Sequence, residues 1–274
     1  MLQQFKSWYR KSYKRLRFRL SANNNVFFLG FYRYFYQAKA GSLSDFLDTY
    51  SKDKQHNFTV VQVGANDGMT NDPIHKFIKR DRWKGVLLEP QTEVYREYLE
   101  PLHRRSKGLH TLCAAVGASD GQRNLYKIGF TDMRWATGMA SFDRTVLEKA
   151  FDNGLIAKRC EHYSVELPNE PEKHIVAEPT LVISPPTLLE KYKIQQIDLL
   201  QIDTEGYDYQ VIRLFDIATT KPKAIIFEHK HLSPADKQAC YDLLDQNAYA
   251  HKEFGSNTLA VSKEMKNYLD FVGK

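Results

Sequence analysis

The stretch "LLQIDTEGYD" (199–208) places three carboxylates, Asp203, Glu205 and Asp208, within six positions of the end of an apolar run. Three chemistries suit that pattern. A carboxylate at a pocket floor can take a proton from a reacting hydroxyl. Oxygen ligands at this spacing, Asp203 and Glu205 first among them, suit Mg²⁺, which can bind and acidify a diol. Acids opening a helix simply meet the positive end of its dipole. Asp208 reads best as such a helix start, Glu205 is open between helix and site, and Asp203 is the candidate for chemistry, with N-capping as its structural alternative. "FEHKHLS" (227–233) supplies a second reactive group, Glu228, His229 and His231. Strand alternation puts Glu228 and His229 on opposite faces, so the expected catalytic set is Asp203 and His231, with Glu228 orienting the histidine or the substrate.

"VVQVGANDGMTNDPI" (60–74) is a glycine loop that follows an apolar run. Gly64 and Gly68 allow a sharp turn and a close backbone approach to a ligand. The spacing G-x-x-x-G differs from the G-x-G-x-x-G of dinucleotide sites. Asp67 and Asp72 would make a poor anion cradle, so a ligand with positive charge is expected. S-Adenosylmethionine carries both a sulfonium and an ammonium. Glu89, 25 residues after Gly64 at the end of the next apolar run, can accept both ribose hydroxyls, or else cap the helix after Pro90.

Five apolar runs need positioning elements: 58–65, 85–90, 109–117, 197–203 and 223–229. Nearly continuous hydrophobicity predicts strands buried on both faces of a parallel sheet. Helical stretches separate most of them. One is "DPIHKFIKR", with Asp72 as N-cap and Pro73 at the first helical position; "TEVYREYL" and "YDYQVIRLF" are others. Strand and helix in alternation predict an α/β doubly wound fold. "AHKEFGSNTLAVSK" reads as an antiparallel C-terminal hairpin around Gly255-Ser256, and residues 117–196 as an insertion on the substrate side. Gln62 and Gln201, each near the end of a strand, are expected to pair their amides inside the sheet.

The motifs "VGANDG", "GVLLEP", "LLQIDTEGYD" and "FEHKHLS", in that order, resemble the FkbM family of S-adenosylmethionine-dependent methyltransferases over about residues 57–262. The resemblance implies the class I methyltransferase (Rossmann-like) fold, a seven-stranded sheet whose last strand is antiparallel. It implies a cofactor loop at Gly64, Ala65, Asn66, Asp67 and Gly68 and a ribose acid at Glu89. Pro90 and Ala115, at the ends of the next runs, complete the expected cofactor set. Asp203, Glu205 and Gly206 match the family signature. Family members mostly methylate hydroxyls, which implies O-methylation here, of a sugar or glycan or, alternatively, of a small metabolite or peptide. Ala248 stands where the family pattern has glycine, and "GMASF" (138–142) resembles a family loop without an assigned role. A reading of another class is a non-catalytic adaptor that retains the fold.

Composition bounds the rest. With 42% hydrophobic and 26% charged residues, the chain is globular rather than disordered or multi-spanning. Three scattered cysteines, Cys113, Cys160 and Cys240, argue against a zinc site or disulfide framework and suit a reducing, cytoplasmic setting. The net charge of +6 is local: residues 1–44 hold nine Lys or Arg and no acid, while the other 230 residues carry 30 basic against 33 acidic side chains. The expected organisation is a basic, aromatic extension (1–44) before a methyltransferase domain (45–274). The extension could lie on an anionic membrane surface, bind nucleic acid, or pack as a helix pair with a solvated basic face. Nucleic acid is disfavoured for the enzyme itself, because its slightly acidic body lacks the basic surface that phosphates need. No run reaches the ~20 apolar residues of a membrane span, and "VFFLGFY" before "AKAG" is a poor signal peptide because Arg33 interrupts it.

Overall fold

The computed structural model describes residues 2–54 and 57–273. Side chains of the first eleven residues, including Lys6, Arg10 and Lys11 of the basic stretch, lie outside the described part.

The strands are β1 (Thr59–Val63), β2 (Lys84–Leu88), β3 (Leu109–Leu112), β4 (Ala115–Val116), β5 (Gly121–Ile128), β6 (Ile175–Ile183), β7 (Leu199–Ile202), β8 (Ala224–Glu228), β9 (Tyr249–Phe254) and β10 (Asn257–Ser262). Seven form the main sheet in the order β3-β2-β1-β7-β8-β10-β9. The five apolar runs lie parallel, and β10 is antiparallel to both β8 and β9. This is the doubly wound class I methyltransferase sheet with its closing hairpin. Val60, Val61, Leu87, Leu88, Leu199, Leu200, Ile225 and Ile226 are fully buried, as strands covered on both faces require. Strand order reverses between β1 and β7, and a ligand crevice opens beyond the carboxyl ends of strands at such a point.

Several local expectations change. Residues 109–117 are two strands, not one: β3 ends at Leu112 and, after Cys113 and Ala114, β4 enters a second sheet of order β4-β6-β5. That sheet carries the helices Arg134–Thr137, Arg144–Asp152 and Leu155–Tyr163, and a small core of Ile128, Leu147, Ile156 and Cys160. The end of the stretch read as an insertion belongs to the main domain: the helix Pro185–Lys191 buries Leu188 in the main core. Pro73 does not start its helix. The regular helix is His75–Asp81, while Asp72 Oδ1 accepts from Ile74 N at 2.8 Å and His75 N at 3.3 Å, capping it from further out. Ala248 has φ +58°, a left-handed conformation that explains glycine as the expected residue.

Gln62 and Gln201 are register partners on β1 and β7, both buried, but their amides do not pair. Gln62 Nε2 donates to the Asp72 carboxylate at 3.2 Å, a charged acceptor that outcompetes a neutral amide. Gln201 Nε2 donates to Ile202 O at 3.4 Å, and both amide oxygens are left buried without a partner.

The N-terminal segment forms α1 (Leu2–Ala22) and α2 (Val26–Tyr34). Asn25 caps α2 by accepting from Phe28 N at 3.0 Å. The pair docks on the domain through Ser21 Oγ and His75 Nε2 (3.1 Å), Lys79 Nζ to Asn24 Oδ1 (3.1 Å), and an edge-to-face contact of Phe18 with Tyr98. No helix among the described residues is long and apolar enough to cross a membrane.

Candidate active site

The glycine loop follows β1 and leans on the tip of β7. A Cβ at Gly64 would lie 1.9 Å from the Asp203 carbonyl oxygen, and its φ is +80°, so only glycine lets the two strand ends approach this closely. Gly64 N and Ala65 N both donate to Leu88 O, which ties the loop to β2. Asn66 N donates to Glu89 Oε2 at 2.8 Å. Asp67 Oδ1 accepts from Met69 N and Thr70 N at 2.9 and 2.7 Å, so this acid also braces the turn that ends near Gly68.

Glu89 is buried at the end of β2. Its Oε1 accepts from Gln91 N (3.0 Å) and Gln91 Nε2 (3.2 Å), just ahead of the short helical turn Thr92–Val94. A carboxylate has about four acceptor positions, of which these donors and Asn66 N take three. Pro90 follows, half-buried, with Cys113 Sγ 3.8 Å from its carbonyl oxygen. Ala115, expected beside the cofactor, belongs to the second sheet, paired with Val182.

The acids of this crevice resist ionisation. Burial is the largest cause in each case, pushing Asp72 and Asp203 up to about 6 and Glu89 and Glu205 up to about 7. Neighbouring carboxylates add to the effect at Asp203, where Glu228 contributes, and at Glu205, where Asp203 and Glu228 do. The crevice therefore offers latent negative charge, and at the strand ends the amide oxygens of Gln62 and Gln201, like Arg134 Nη1, are buried without a hydrogen-bond partner. That fits S-adenosylmethionine, whose sulfonium and ammonium would favour the ionised carboxylates.

At the ends of β7 and β8 the expected catalytic residues meet. His231 Nε2 lies 3.3 Å from Glu205 Oε2 and 3.6 Å from Glu228 Oε2. Asp203 is close enough for its charge state to respond to both Glu228 and His231. Glu205 occupies a left-handed conformation, φ +52°, which turns its side chain toward the histidine. His229 points the other way, as alternation requires: Nδ1 lies 2.9 Å from Thr258 Oγ1, and Nε2 lies 3.4 Å from Glu253 on the hairpin.

Asp208 is a structural brace. Fully buried at the first position of the helix Asp208–Leu214, it accepts from Thr204 N, Thr204 Oγ1 and Gly206 N with Oδ2, and from Glu228 N with Oδ1. It therefore locks the β7 turn to the end of β8. The Mg²⁺ pair Asp203 and Glu205 is not the grouping that forms. Among the described residues, the metal-capable atoms lying within 4.8 Å of one another belong to Glu205, Glu228 and His231, without Asp203. An imidazole with two carboxylates is not the all-oxygen set that Mg²⁺ prefers.

Sequence reasoning missed the cation of the site. Arg134, on the short helix Arg134–Thr137 of the inserted segment, has Nη1 3.9 Å from Asp67 Oδ1 and draws down the pKa values of Glu89, Asp203 and Glu205. The same segment packs Gly138 onto Glu205, where a Cβ would come within 2.8 Å of Oε1. The "GMASF" resemblance was the one available signal, four residues beyond Arg134. Gln91 Nε2 also donates to Thr137 O at 2.9 Å, and beyond this bridge lies a cavity of 410 Å³ lined by Glu93, Glu97, Tyr98, Lys127, Phe130 and Thr131 among others.

No curated protein matches the chain. Among solved structures, Methyltransferase FkbM from Methylobacillus flagellatus KT aligns with 11% identity and a TM-score of 0.43, over 76% of this chain; the chain spans 44% of that structure's length. The delta-N METTL16 MTase domain aligns with 7% identity and a TM-score of 0.39, over 80% of this chain and 79% of its own. Residues 62–264, from β1 to just past β10, match the Methyltransferase FkbM domain, so the chain belongs to the FkbM methyltransferases, a family that implies S-adenosylmethionine as methyl donor.

Proposed function

We propose that this methyltransferase methylates a hydroxyl oxygen of a sugar or glycan. The observation that carries the reading is His231 held close to Glu205 and Glu228, near Asp203, at the β7 tip on which the Gly64 loop packs. The cofactor, when bound, would supply an electrophilic methyl group on a sulfonium, whose S–CH3 bond breaks on transfer to leave the neutral, demethylated thioether. With Nε2–H directed at the two carboxylates, His231 has Nδ1 to accept the proton that the acceptor hydroxyl gives up as its oxygen bonds to the methyl carbon. Glu205 and Glu228 stabilise the imidazolium so formed, and Asp203 orients the attacking hydroxyl. The cavity beyond Gln91, with acids, a lysine, a threonine hydroxyl and two aromatic rings on its wall, suits a polyol with apolar ring faces.

Calorimetry with S-adenosylmethionine comes first: absence of binding would leave only the adaptor reading. Labelled cofactor offered to monosaccharide, oligosaccharide, small-metabolite and peptide hydroxyls then tests the acceptor class. His231→Ala is expected to lower kcat by ~10²–10⁴-fold with cofactor affinity within about threefold of wild type. Full activity of both His231→Ala and Asp203→Ala on a working acceptor would refute the assignment, and methylation confined to peptides or metabolites would refute the saccharide.

A further inference from the structure

An exposed aromatic surface lies outside the candidate active site. Phe27, Phe31, Tyr34 and Phe35 recur at one-turn intervals along α2 and its C-terminal cap, and are 90%, 58%, 75% and 72% exposed. Phe31 and Phe35 stack with ring centroids 6.0 Å apart, so this is a continuous aromatic stripe rather than scattered residues. Val26 beside it is 79% exposed, and α2 buries no residue fully. Such a face in water is costly unless something covers it.

The charge around it says what that is. Lys14, Arg15, Arg19, Arg33 and Lys39 are exposed, and the first acid of the chain is Asp45, whose carboxylate is engaged by Gly41 N at 2.8 Å. Aromatic and basic side chains in a segment, residues 1–44, that holds no acid match the boundary between anionic headgroups and acyl chains. A nine-residue helix is only about 14 Å long, so it can lie in that boundary but not cross it. We infer that α2, with the basic residues of α1, docks the enzyme on an anionic phospholipid bilayer. The surface is not remote from the catalytic domain: Phe18 of α1 packs on Tyr98, a wall residue of the 410 Å³ cavity. This docking does not depend on which acceptor the enzyme methylates.

The test is co-sedimentation of the full chain with vesicles of phosphatidylcholine alone or with 30 mol% phosphatidylserine. Partitioning should be at least tenfold stronger on the anionic vesicles and should weaken as salt shortens the screening length. Phe27→Ser/Phe31→Ser/Phe35→Ser and Lys14→Glu/Arg15→Glu/Arg19→Glu should each lose at least tenfold, with unchanged circular dichroism and cofactor binding. Equal binding to neutral and anionic vesicles, or wild-type binding by either variant, would overturn the inference. So would a concentration-dependent dimer, abolished by the serine variant, in a protein that ignores vesicles. Tighter binding to RNA than to anionic vesicles would also count against it.

Discussion

Replacing Asp208 by alanine should show that this acid holds the site together rather than reacting in it. The change leaves the Thr204 and Glu228 N–H groups and the Thr204 hydroxyl without their acceptor, at present distances of 3.2, 3.0 and 2.9 Å. A buried donor stripped of its partner costs about 1–3 kcal/mol, and the hydroxyl can rotate to recover part of its share, so the expected loss near pH 5 is about 3–5 kcal/mol. For a chain of this size that lowers Tm by roughly 10 °C. Burial raises the Asp208 carboxyl to about 7 in the folded protein, against ~3.9 when unfolded. A raised folded pKa means that this group's contribution is complete below pH ~4 and is lost as pH rises through 7. The gap between wild type and Asp208→Ala should therefore narrow by up to ~1.4 kcal/mol per pH unit across that window. Glu205, whose carboxyl the Asp208 charge helps to raise, would shift downward in the variant, and Asp203 contributes to the Asp208 shift, so the pH dependence belongs to this coupled group of acids. Denaturant melts at pH 5, 6, 7 and 8 give the difference directly, with Asp208→Asn, which keeps one acceptor, falling between the two. A gap under 1 kcal/mol at pH 5, or one that widens toward pH 8, would refute the reasoning.

Two further perturbations probe the charge balance. His103 is buried beside Lys79 and His75, neither ring nitrogen has a partner, and burial holds its pKa well below the usual histidine range. Its depressed folded pKa lets the unfolded chain bind the extra proton, so stability falls as pH drops below ~6.5; His103→Leu should be more stable than wild type by about 2 kcal/mol at pH 5 and by less at pH 8, and parallel melting curves across that range would contradict this. Arg134→Ala removes the cation that draws down Glu89, Asp203 and Glu205. The acid limb of the kcat/KM profile should move upward by up to about one pH unit, and an unshifted limb would place Arg134 outside the site.

Much of the frame was legible in the chain because its causes are local. Unbroken runs such as "FTVVQVGA" and "KAIIFEH" can be satisfied only as strands covered on both faces, and the acids that end them mark the crevice rim. Gly64 announced a close approach, and Asp208, just after Gly206, announced a helix start, since both effects act over a few residues. Alternation along β8 alone separated Glu228 from His229. The split of residues 109–117 between two sheets was invisible, because both halves are equally apolar and only β6, some 60 residues later, draws Ala115 and Val116 away. Gln62 chose Asp72 over Gln201 for a reason of distance and charge that no spacing reveals. Arg134 is the clearest case. Nothing around it in the chain distinguishes it from other surface arginines, and it becomes the cation of the site only because the inserted sheet folds its short helix over Asp67, Glu89 and Glu205. The sequence by itself determined the strands, the acids and the glycine that lets them meet. Tertiary packing decided which charges face one another, because Coulomb energies and burial depend on distances across the fold.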